Sequence, residues 1–383
     1  MTARTKIAIL VLLLTLTVLV WSEPALSQSS FVFVVTNDQR QYTGPGVYDT
    51  CEYYRGSCEA IDAVGEGVFM FVPGDLDPTL DTEWTIADVL GTGYLWYPVV
   101  GNHELPYVDS STGGYYVDYA GGPLHLDYPG VNMDWLRNYD YDPNGPGIPP
   151  DILNSGPSGC PQTTFSFDYE DAHFVVLNEY CDVGGDTATD GDIPDHLYNW
   201  LVADLAATSQ TFVFVIGHEP AYPQRDEDTG RLRHVGDSLD GHPGNRDRFW
   251  GLLVAEGVTA YICGHTHNYS AVRLDENGVM GGDGVWQIDA GHARGVGDTG
   301  APSTFVRVIV DGGYVTYQTY RTMNPADYCE YSLTDEWTTD PNAVNLTSFT
   351  ADTTETLGSA WWLAASVVIA LSMVLARLLR WRL

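Results

Sequence analysis

Positive charge is what this 383-residue sequence has least of. Residues 28–358 carry 50 acidic residues against 12 arginines and no lysine, a formal charge of −38. A surface of that sign repels nucleic acid and anionic headgroups, so no nucleic-acid binding is expected. Either the acidic residues form a solvated coat suited to a salty or extracellular setting, or some of them bind Ca²⁺.

The sequence also shows no internal repeat and no Gly-x-Ser-x-Gly turn. The first absence argues against a repeat architecture, and the second argues against hydrolysis by a serine nucleophile on a strained turn. A hydrophobic share of 44% is ordinary for a globular protein, and it provides enough apolar side chains for a sizeable core.

Each end of the chain carries an apolar segment. Residues 1–27 have a basic start, an apolar stretch and a small-x-small site, which predict a secretory signal peptide; an uncleaved anchor is the alternative. Residues 359–383 contain 17 consecutive apolar or small residues followed by three arginines, which predict a transmembrane helix with a basic cytoplasmic end. The protein is therefore expected to be exported to the cell surface or periplasm and tethered there with its domain outside. A buried core helix and a sorting tail removed after export are the alternatives.

Six cysteines in an exported protein predict disulfides. The pair Cys51–Cys58 is expected because the two residues are close in a loop. The pair Cys160–Cys181 is expected because these residues flank two adjacent strands. Cys263 sits inside a strand and is expected to be a buried free thiol, which leaves Cys329 unassigned.

Residues 28–325 alternate predicted strands with predicted helices. Short apolar runs such as 31–35, 68–72 and 212–216 predict buried strands, and helical spacing of apolar residues over 194–207 predicts an amphipathic helix. Strand–helix–strand units followed by antiparallel strands predict a layered α/β sandwich. Residues 326–358 are predicted to be a C-terminal extension or linker.

Five blocks place metal-ligating side chains directly after a predicted strand. They are Asn37-Asp38-Gln39-Arg40, Gly74-Asp75-Leu76-Asp77, Gly101-Asn102-His103-Glu104, Gly217-His218-Glu219-Pro220 and Gly264-His265-Thr266-His267. Open α/β sheets place ligand sites at the carboxyl ends of their strands. Carboxylate, amide and imidazole together suit a divalent ion such as Mn²⁺, Fe or Zn²⁺, and the repeated glycines let the backbone turn sharply. Each block alone has an ordinary explanation as a turn, but their joint occurrence predicts a metal site.

A second candidate cation site lies between the third and fourth blocks. Asp140-x-Asp142-x-Asn144-Gly145, with Asp151 further on, mimics the oxygen spacing of an EF-hand loop, although prolines interrupt it. Residues 140–151 are predicted to be either a rigid Pro/Gly turn or a Ca²⁺ site. The Tyr- and Gly-rich insertion 105–161 around them either lines the substrate site or forms a lid that does not touch substrate.

The five blocks resemble the motifs D-x-H, G-D, G-N-H-[DE], H and G-H-x-H of the calcineurin-like metallophosphoesterase superfamily. The resemblance spans about residues 31–320. It implies a pair of mixed β-sheets flanked by helices, an α/β/β/α sandwich, with two divalent metal ions at the strand ends. The implied activity is hydrolysis of phosphate mono- or diesters by a hydroxide that the two ions share, and the implied partner is a small phosphate-ester substrate.

The resemblance also implies roles for individual residues. The implied metal ligands, with Asp75 bridging both ions, are Asp38 and His267 for the first ion and Asn102, His218 and His265 for the second. His103 would contact the phosphate and stabilise or protonate the leaving oxygen. Arg294 is expected either to add a phosphate contact or to form a surface salt bridge.

The first block departs from the family pattern at Arg40, which stands where the family has histidine. Arginine has no lone pair to offer a metal. Gln39 or water would therefore complete the first metal site, and Arg40 would hold substrate phosphate as a bidentate donor. The tyrosine that purple acid phosphatases carry three residues after the bridging aspartate is also replaced, by Pro78. The alternative function is a cell-surface binding module on a phosphoesterase scaffold that has lost turnover.

Overall fold

The computed structural model describes residues 30–39, 43–76, 78–105, 129–139, 151–186, 190–281 and 284–339. All of them belong to the first of the chain's two units, Met1–Asn342. The predicted signal peptide, the predicted transmembrane segment and nearly all of the 140–151 loop lie outside these residues. Within the described ranges, no helix is both long and apolar enough to cross a membrane.

Fifteen strands and five α-helices make up the described part of the chain. The strands are β1 Ser30–Val35, β2 Phe69–Val72, β3 Trp96–Pro98, β4 Asp151–Ser155, β5 Phe165–Tyr169, β6 Ala172–Val176, β7 Cys181–Asp182, β8 Gly185–Asp186, β9 Phe212–Ile216, β10 Ala260–Cys263, β11 Tyr269–Leu274, β12 Val285–Ala290, β13 Thr304–Asp311, β14 Tyr314–Arg321 and β15 Ser332–Thr339. The helices are α1 Tyr54–Val64, α2 Thr79–Val89, α3 Pro129–Asn138, α4 Asp195–Leu205 and α5 Pro243–Ala255.

Two mixed sheets carry the fold, in agreement with the predicted sandwich. One has the order β15-β14-β13-β1-β2-β3 and the other β11-β12-β10-β9-β6-β5-β4, while β7 and β8 form a small hairpin. Strands β1, β2 and β3 are parallel to one another, as are β6, β9, β10 and β12. Because the carboxyl ends of parallel strands meet at one edge of a sheet, each sheet presents one row of loops where a site can form.

Three apolar layers hold the sheets and helices together. The layer between the sheets is rich in phenylalanine, including Phe33, Phe71 and Phe174. The outer face of the first sheet packs on side chains of α1, α2 and α3, and the outer face of the second packs on α4 and α5. The central strands are thus covered on both faces, which explains why they are continuous apolar runs rather than alternating ones.

Some boundaries differ from the sequence-based prediction. The insertion 105–161 contains helix α3 and edge strand β4, and the segment predicted to be an extension contains β15, which pairs with β14. Strand β15 is mostly exposed and polar, so it lacks the apolar pattern by which the other strands were recognised. Strand β11 was also missed, because it directly follows the fifth block.

The pair Cys160–Cys181 is confirmed as a disulfide, and Cys263 is a buried free thiol as predicted. The predicted pair Cys51–Cys58 is wrong. Cys51 bonds to Cys329, and Cys58 is a second buried free thiol. Cys58 lies within α1 with its side chain in the apolar layer beneath that helix, whereas Cys51 precedes the helix. The two disulfides indicate an extracellular or otherwise oxidising compartment.

Candidate metal centre

The loops after five parallel strands converge at one end of the two sheets. Asp38, Asp75 and Asn102 follow β1, β2 and β3, while the histidines of the fourth and fifth blocks follow β9 and β10. Ligand atoms of Asp38, Asp75 and His218 lie within 4.8 Å of one another. The backbone nitrogen of His265 also donates to Asp38 Oδ2, 227 residues away in sequence, so the structure brings the first and fifth blocks together.

Four of the six predicted ligands have backbone conformations that L-amino acids rarely adopt. Their φ angles are 52° at Asp38, 54° at Asp75, 69° at His265 and 59° at His267. Positive φ in a non-glycine residue is uncommon and is concentrated at functional sites, where surrounding contacts hold the strained backbone in place. The strain turns each side chain inward directly after its strand.

The glycines of these blocks leave space for neighbouring ligand residues. Only Gly74 has the left-handed φ, 86°, that a sharp turn requires. A Cβ at Gly264 would lie 1.7 Å from the Asn37 Nδ2 atom, one at Gly101 would lie 2.5 Å from the Asp75 nitrogen, and one at Gly217 would lie 2.3 Å from a Glu179 oxygen. The sharp-turn interpretation is thus confirmed at Gly74, whereas close packing explains the other three glycines.

The hydrogen bonds of His218 and His265 decide which ring nitrogen faces the site. His218 Nδ1 lies 2.6 Å from the Pro73 carbonyl oxygen, and His265 Nε2 lies 2.8 Å from the Asp237 carbonyl oxygen. A carbonyl only accepts, so these outer nitrogens carry the protons. The inner nitrogens, His218 Nε2 and His265 Nδ1, are unprotonated and lie 3.2 Å apart.

Two further acceptors face the same point. Asn102 Oδ1 lies 3.2 Å and Asp75 Oδ1 lies 3.5 Å from His218 Nε2. Burial lowers the pKa of His218, and it lowers the pKa of His265 well below the usual range. Burial therefore opposes the addition of a second proton to either ring, which would relieve the repulsion between the lone pairs of these four atoms. Four electron-pair donors that converge with no hydrogen between them fit a bound cation.

The third imidazole faces Asp38 and is held from behind by Asp298. His267 Nε2 lies 3.5 Å from Asp38 Oδ1, and its Nδ1 lies 2.7 Å from Asp298 Oδ2. A carboxylate behind a ligating histidine fixes the tautomer and the ring orientation. Asp38 is fully buried, and its Oδ1 atom has no hydrogen-bond donor among the described residues. Burial and the nearby Asp75 and Asp289 carboxylates raise the Asp38 pKa well above the usual range, a cost that a cation would remove.

Buried carboxylates behind the strand ends hold the loops together. Glu104 accepts hydrogen bonds from the backbone nitrogens of Asp75 at 3.0 Å, Leu76 at 2.9 Å and Gly101 at 2.6 Å. Glu179 accepts them from the nitrogens of His218 at 3.0 Å and Glu219 at 2.7 Å. Burial, with the Asp75 charge, raises the pKa of Glu104 to about 8, and burial raises that of Glu179 to about 7. Glu104 thus holds the backbone at Asp75 in place, and Glu179 holds the backbone at His218.

Of the residues predicted to contact substrate, the structure describes His103 and Arg294. The His103 side chain is 35% exposed, and its Nε2 lies 3.7 Å from Asp75 Oδ2. Arg294 is buried rather than on the surface, and its charge contributes to lowering the pKa of His267. Arg40 and Asp77 lie outside the described residues. Gln39 is fully buried, and neither polar atom of its amide has a partner among the described residues. Its oxygen is therefore available to complete the first of the two predicted metal sites.

A family model described as calcineurin-like phosphoesterase matches residues 49–269, which is more than half of the chain. The chain belongs to this family. Similarity to individual phosphoesterases is more limited. Tartrate-resistant acid phosphatase type 5 of Rattus norvegicus is 40% identical over 81 residues, 21% of this chain and 21% of that protein. The same phosphatase of Oryctolagus cuniculus is 32% identical over 119 residues, 31% of this chain and 29% of that protein. The chain thus spans less than a third of the length of these curated relatives.

The solved structure titled "Structure of PhoD" matches with a TM-score of 0.54 and 12% identity, covering 83% of this chain and 71% of that one. At this identity the match shows the fold alone: the phosphoesterase sandwich of two mixed sheets with flanking helices. It agrees with the two mixed sheets and five helices described above.

Several residues at this candidate metal centre were not found from the sequence. His234 has a positive φ of 55°, and its ring lies 4.2 Å from that of His265. His234, Asp237 and His265 form a second group whose ligand atoms lie within 4.8 Å of one another. Asp298, behind His267, was also missed. All three missed residues lie in irregular segments without a strand before them, so no local pattern marks them; a positive φ is visible only in the structure.

Proposed function

We propose that this protein is a metal-dependent phosphoric ester hydrolase acting on small phosphate mono- or diesters. The observation that carries the proposal is the convergence of two imidazole nitrogens, an amide oxygen and a carboxylate oxygen on one point. In a family of phosphoesterases, a cation at that point is the ordinary means of holding a phosphoryl group.

The residues present fit two divalent ions. Asp75 would bridge them, with Asp38 and His267 on one side and Asn102, His218 and His265 on the other. When bound, such ions neutralise the phosphoryl oxygens and lower the pKa of water to near neutrality. Mn²⁺, Fe and Zn²⁺ all accept this mixture of nitrogen and oxygen ligands.

His103 is our candidate for the general acid. Hydrolysis adds a hydroxyl group to phosphorus and a proton to the oxygen that leaves, so a donor near the leaving oxygen lowers the barrier. The His103 side chain is partly exposed beside Asp75, which lets it reach a substrate held at the centre. We assign phosphate contacts to Arg40 and Arg294.

We further propose that the domain is exported and tethered to the membrane by residues 359–383. The two disulfides support an oxidising compartment, and the apolar segments at 1–27 and 359–383 support export and anchoring. Fractionation of expressing cells, with protease added outside, tests this. Recovery of the chain in soluble cytoplasm would contradict it.

The test of activity uses the full chain in detergent, purified without chelator. We expect Mn²⁺-dependent hydrolysis of p-nitrophenyl phosphate or its bis-ester, and the preferred ester assigns the protein to the monoesterases or the diesterases. His103→Ala should lower kcat about 10²- to 10⁴-fold, as loss of a general acid does. Asp75→Asn should abolish both metal binding and turnover.

His242→Ala serves as the matched control, because His242 is partly exposed and pairs with Asp190, which is not a predicted ligand. It should retain wild-type kcat. Absence of turnover with every metal, in chain shown to bind about two ions, would contradict the hydrolase proposal and favour the binding-module alternative. Equal losses in His103→Ala and His242→Ala would remove the assigned role of His103.

A further inference from the structure

A short loop carries an arginine to the edge of the metal centre. The segment 231–236 lies in the long connection between β9 and α5, and Arg231 bonds it to the His267 carbonyl. Its residues Leu232 and Val235 are 41% and 60% exposed, so the loop is accessible to solvent. The Arg233 side chain is 33% exposed, and its Nη1 atom lies 2.7 Å from His267 Nδ1 and 3.4 Å from Asp298 Oδ2.

The neighbouring arginine of the same loop is fully engaged. Arg231 donates to Asn268 Oδ1 at 2.7 Å, Asp298 Oδ1 at 2.8 Å and the His267 carbonyl at 2.8 Å. It therefore braces the loop and balances the charge of Asp298. These three contacts explain why an arginine stands at position 231. They do not explain the arginine at position 233.

His267 cannot serve Arg233 and a metal ion at the same time. As a ligand through Nε2, His267 carries its proton on Nδ1 and donates it to Asp298, so Nδ1 is no longer an acceptor. Arg233 then keeps one contact among the described residues, the long one to Asp298. Most of its five N–H donors then lack an acceptor in the part of the chain that the structure describes, and the side chain is only 33% exposed.

The local charge also favours an anion there. Arg231 and Arg233 both contact Asp298, and the charges of Arg233 and Arg294 both act on His267. This positive cluster lies in a body whose formal charge is −38. An arginine fork with free donors matches the geometry of phosphate and carboxylate oxygens.

We propose that Arg233 binds a second anionic group of the substrate, a phosphate or a carboxylate, in addition to the phosphoryl group held at the metal centre. This inference rests on the proposed function and narrows it. The preferred substrates are esters or anhydrides whose leaving group carries a second anionic group, a phosphate or a carboxylate. Arg233 determines specificity and takes no part in bond cleavage.

Equilibrium binding tests the inference without relying on turnover. Calorimetry with the Mn²⁺-loaded full chain compares orthophosphate with methylenediphosphonate and 3-phosphonopropionate, analogues of pyrophosphate and phosphoglycolate whose phosphorus–carbon bonds are not hydrolysed. Wild-type protein should bind at least one of the two-anion ligands tenfold or more tightly than orthophosphate, and Arg233→Gln should remove about tenfold of that preference. The stronger of the two ligands identifies the second group as phosphate or carboxylate.

Two further variants control for charge and for folding. Arg225→Gln removes an exposed arginine that bonds only the Gly230 carbonyl among described residues, and it should keep the preference. Arg233→Lys keeps the charge without the fork and should recover part of it. A preference that survives in Arg233→Gln, or its absence from wild-type protein, would overturn the inference.

Kinetics separate this inference from the proposed function. Arg233→Gln should lower kcat/KM for a diphosphate about tenfold more than for p-nitrophenyl phosphate, mainly through KM. Equal losses for both substrates would show that Arg233 only positions His267, leaving the hydrolase proposal intact. Arg233-dependent binding of methylenediphosphonate without any ester hydrolysis would contradict the hydrolase proposal and support the binding site.

Discussion

At the scale of single residues, the centre depends on what lies behind each ligand. The ligand types were evident from the blocks, but the nitrogen that each histidine presents is decided by Pro73, Asp237 and Asp298. None of these partners is adjacent in sequence to the histidine it orients. Removing such a partner weakens metal binding without removing a ligand.

Asp298→Asn tests this at His267. The amide keeps the size of the side chain but loses the charge that holds Nδ1–H, so Mn²⁺ affinity should fall about ten- to a hundredfold. Calorimetric titration of the full chain measures it. Asp195→Asn, which removes an exposed carboxylate paired with Arg248, should bind Mn²⁺ like wild type. Unchanged affinity in Asp298→Asn would show that the carboxylate does not orient the ligand.

At the scale of elements, the loops that follow the strands pack against one another closely, and this packing requires glycine at several of their positions. The strands themselves follow from buried apolar runs, and most were predicted within two residues. The distance between the ends of β1 and β10 was not predictable, since it depends on how the strand ends of two separate sheets meet. Gly264 lies at that junction, against Asn37 and Asp38.

Gly264→Ala should therefore destabilise the fold. The added methyl would overlap the Asn37 amide, and overpacking of this kind costs about 1–3 kcal/mol. Urea unfolding at neutral pH measures the free energy. Gly251→Ala is the matched control, because Gly251 lies within α5 and a Cβ there meets nothing within 4 Å. It should stabilise by about 0.5–1 kcal/mol. Loss of stability in both variants, or in neither, would contradict the packing explanation.

At the scale of the whole molecule, one buried ion pair links the two sheets. Arg321 of β14 and Asp226, which follows β9, are both buried and in direct contact, with Nη2 2.5 Å from Oδ2. Tyr269 of β11 donates its backbone nitrogen to the same Asp226 oxygen at 2.9 Å. Burial alone would raise the pKa of Asp226, but the Arg321 charge and several hydrogen bonds outweigh it, so that pKa is lowered.

The lowered pKa sets the pH at which this link is lost. A carboxyl group whose pKa is lower in the folded state stabilises the fold above its unfolded pKa, about 3.9, and that stability disappears as the pH falls through the folded pKa. At pH 7, Asp226→Asn should cost about 3–5 kcal/mol, since it leaves Arg321 buried with less compensation. Below pH 4 the difference from wild type should shrink.

Urea unfolding of wild type and Asp226→Asn at pH 7, 5 and 3 measures that difference. Taking the difference removes the contribution of the many other acids, which titrate in both proteins. Asp247→Asn, at an exposed pair with Arg246, should change stability by less than about 1 kcal/mol at every pH. A difference that stays constant from pH 7 to pH 3 would contradict the linkage.

The sequence by itself determined the class of fold, the strands that end at the centre and the six candidate ligands. Apolar runs and the polar residues that end them are local features, so each could be recognised without its neighbours. The tertiary structure alone decided which cysteine Cys51 meets, that β15 joins a sheet, and that Asp298, His234 and Arg233 surround the metal centre. These depend on contacts between segments far apart in sequence, such as that of Asn37 with Cys263, and such contacts form only when the two sheets pack together.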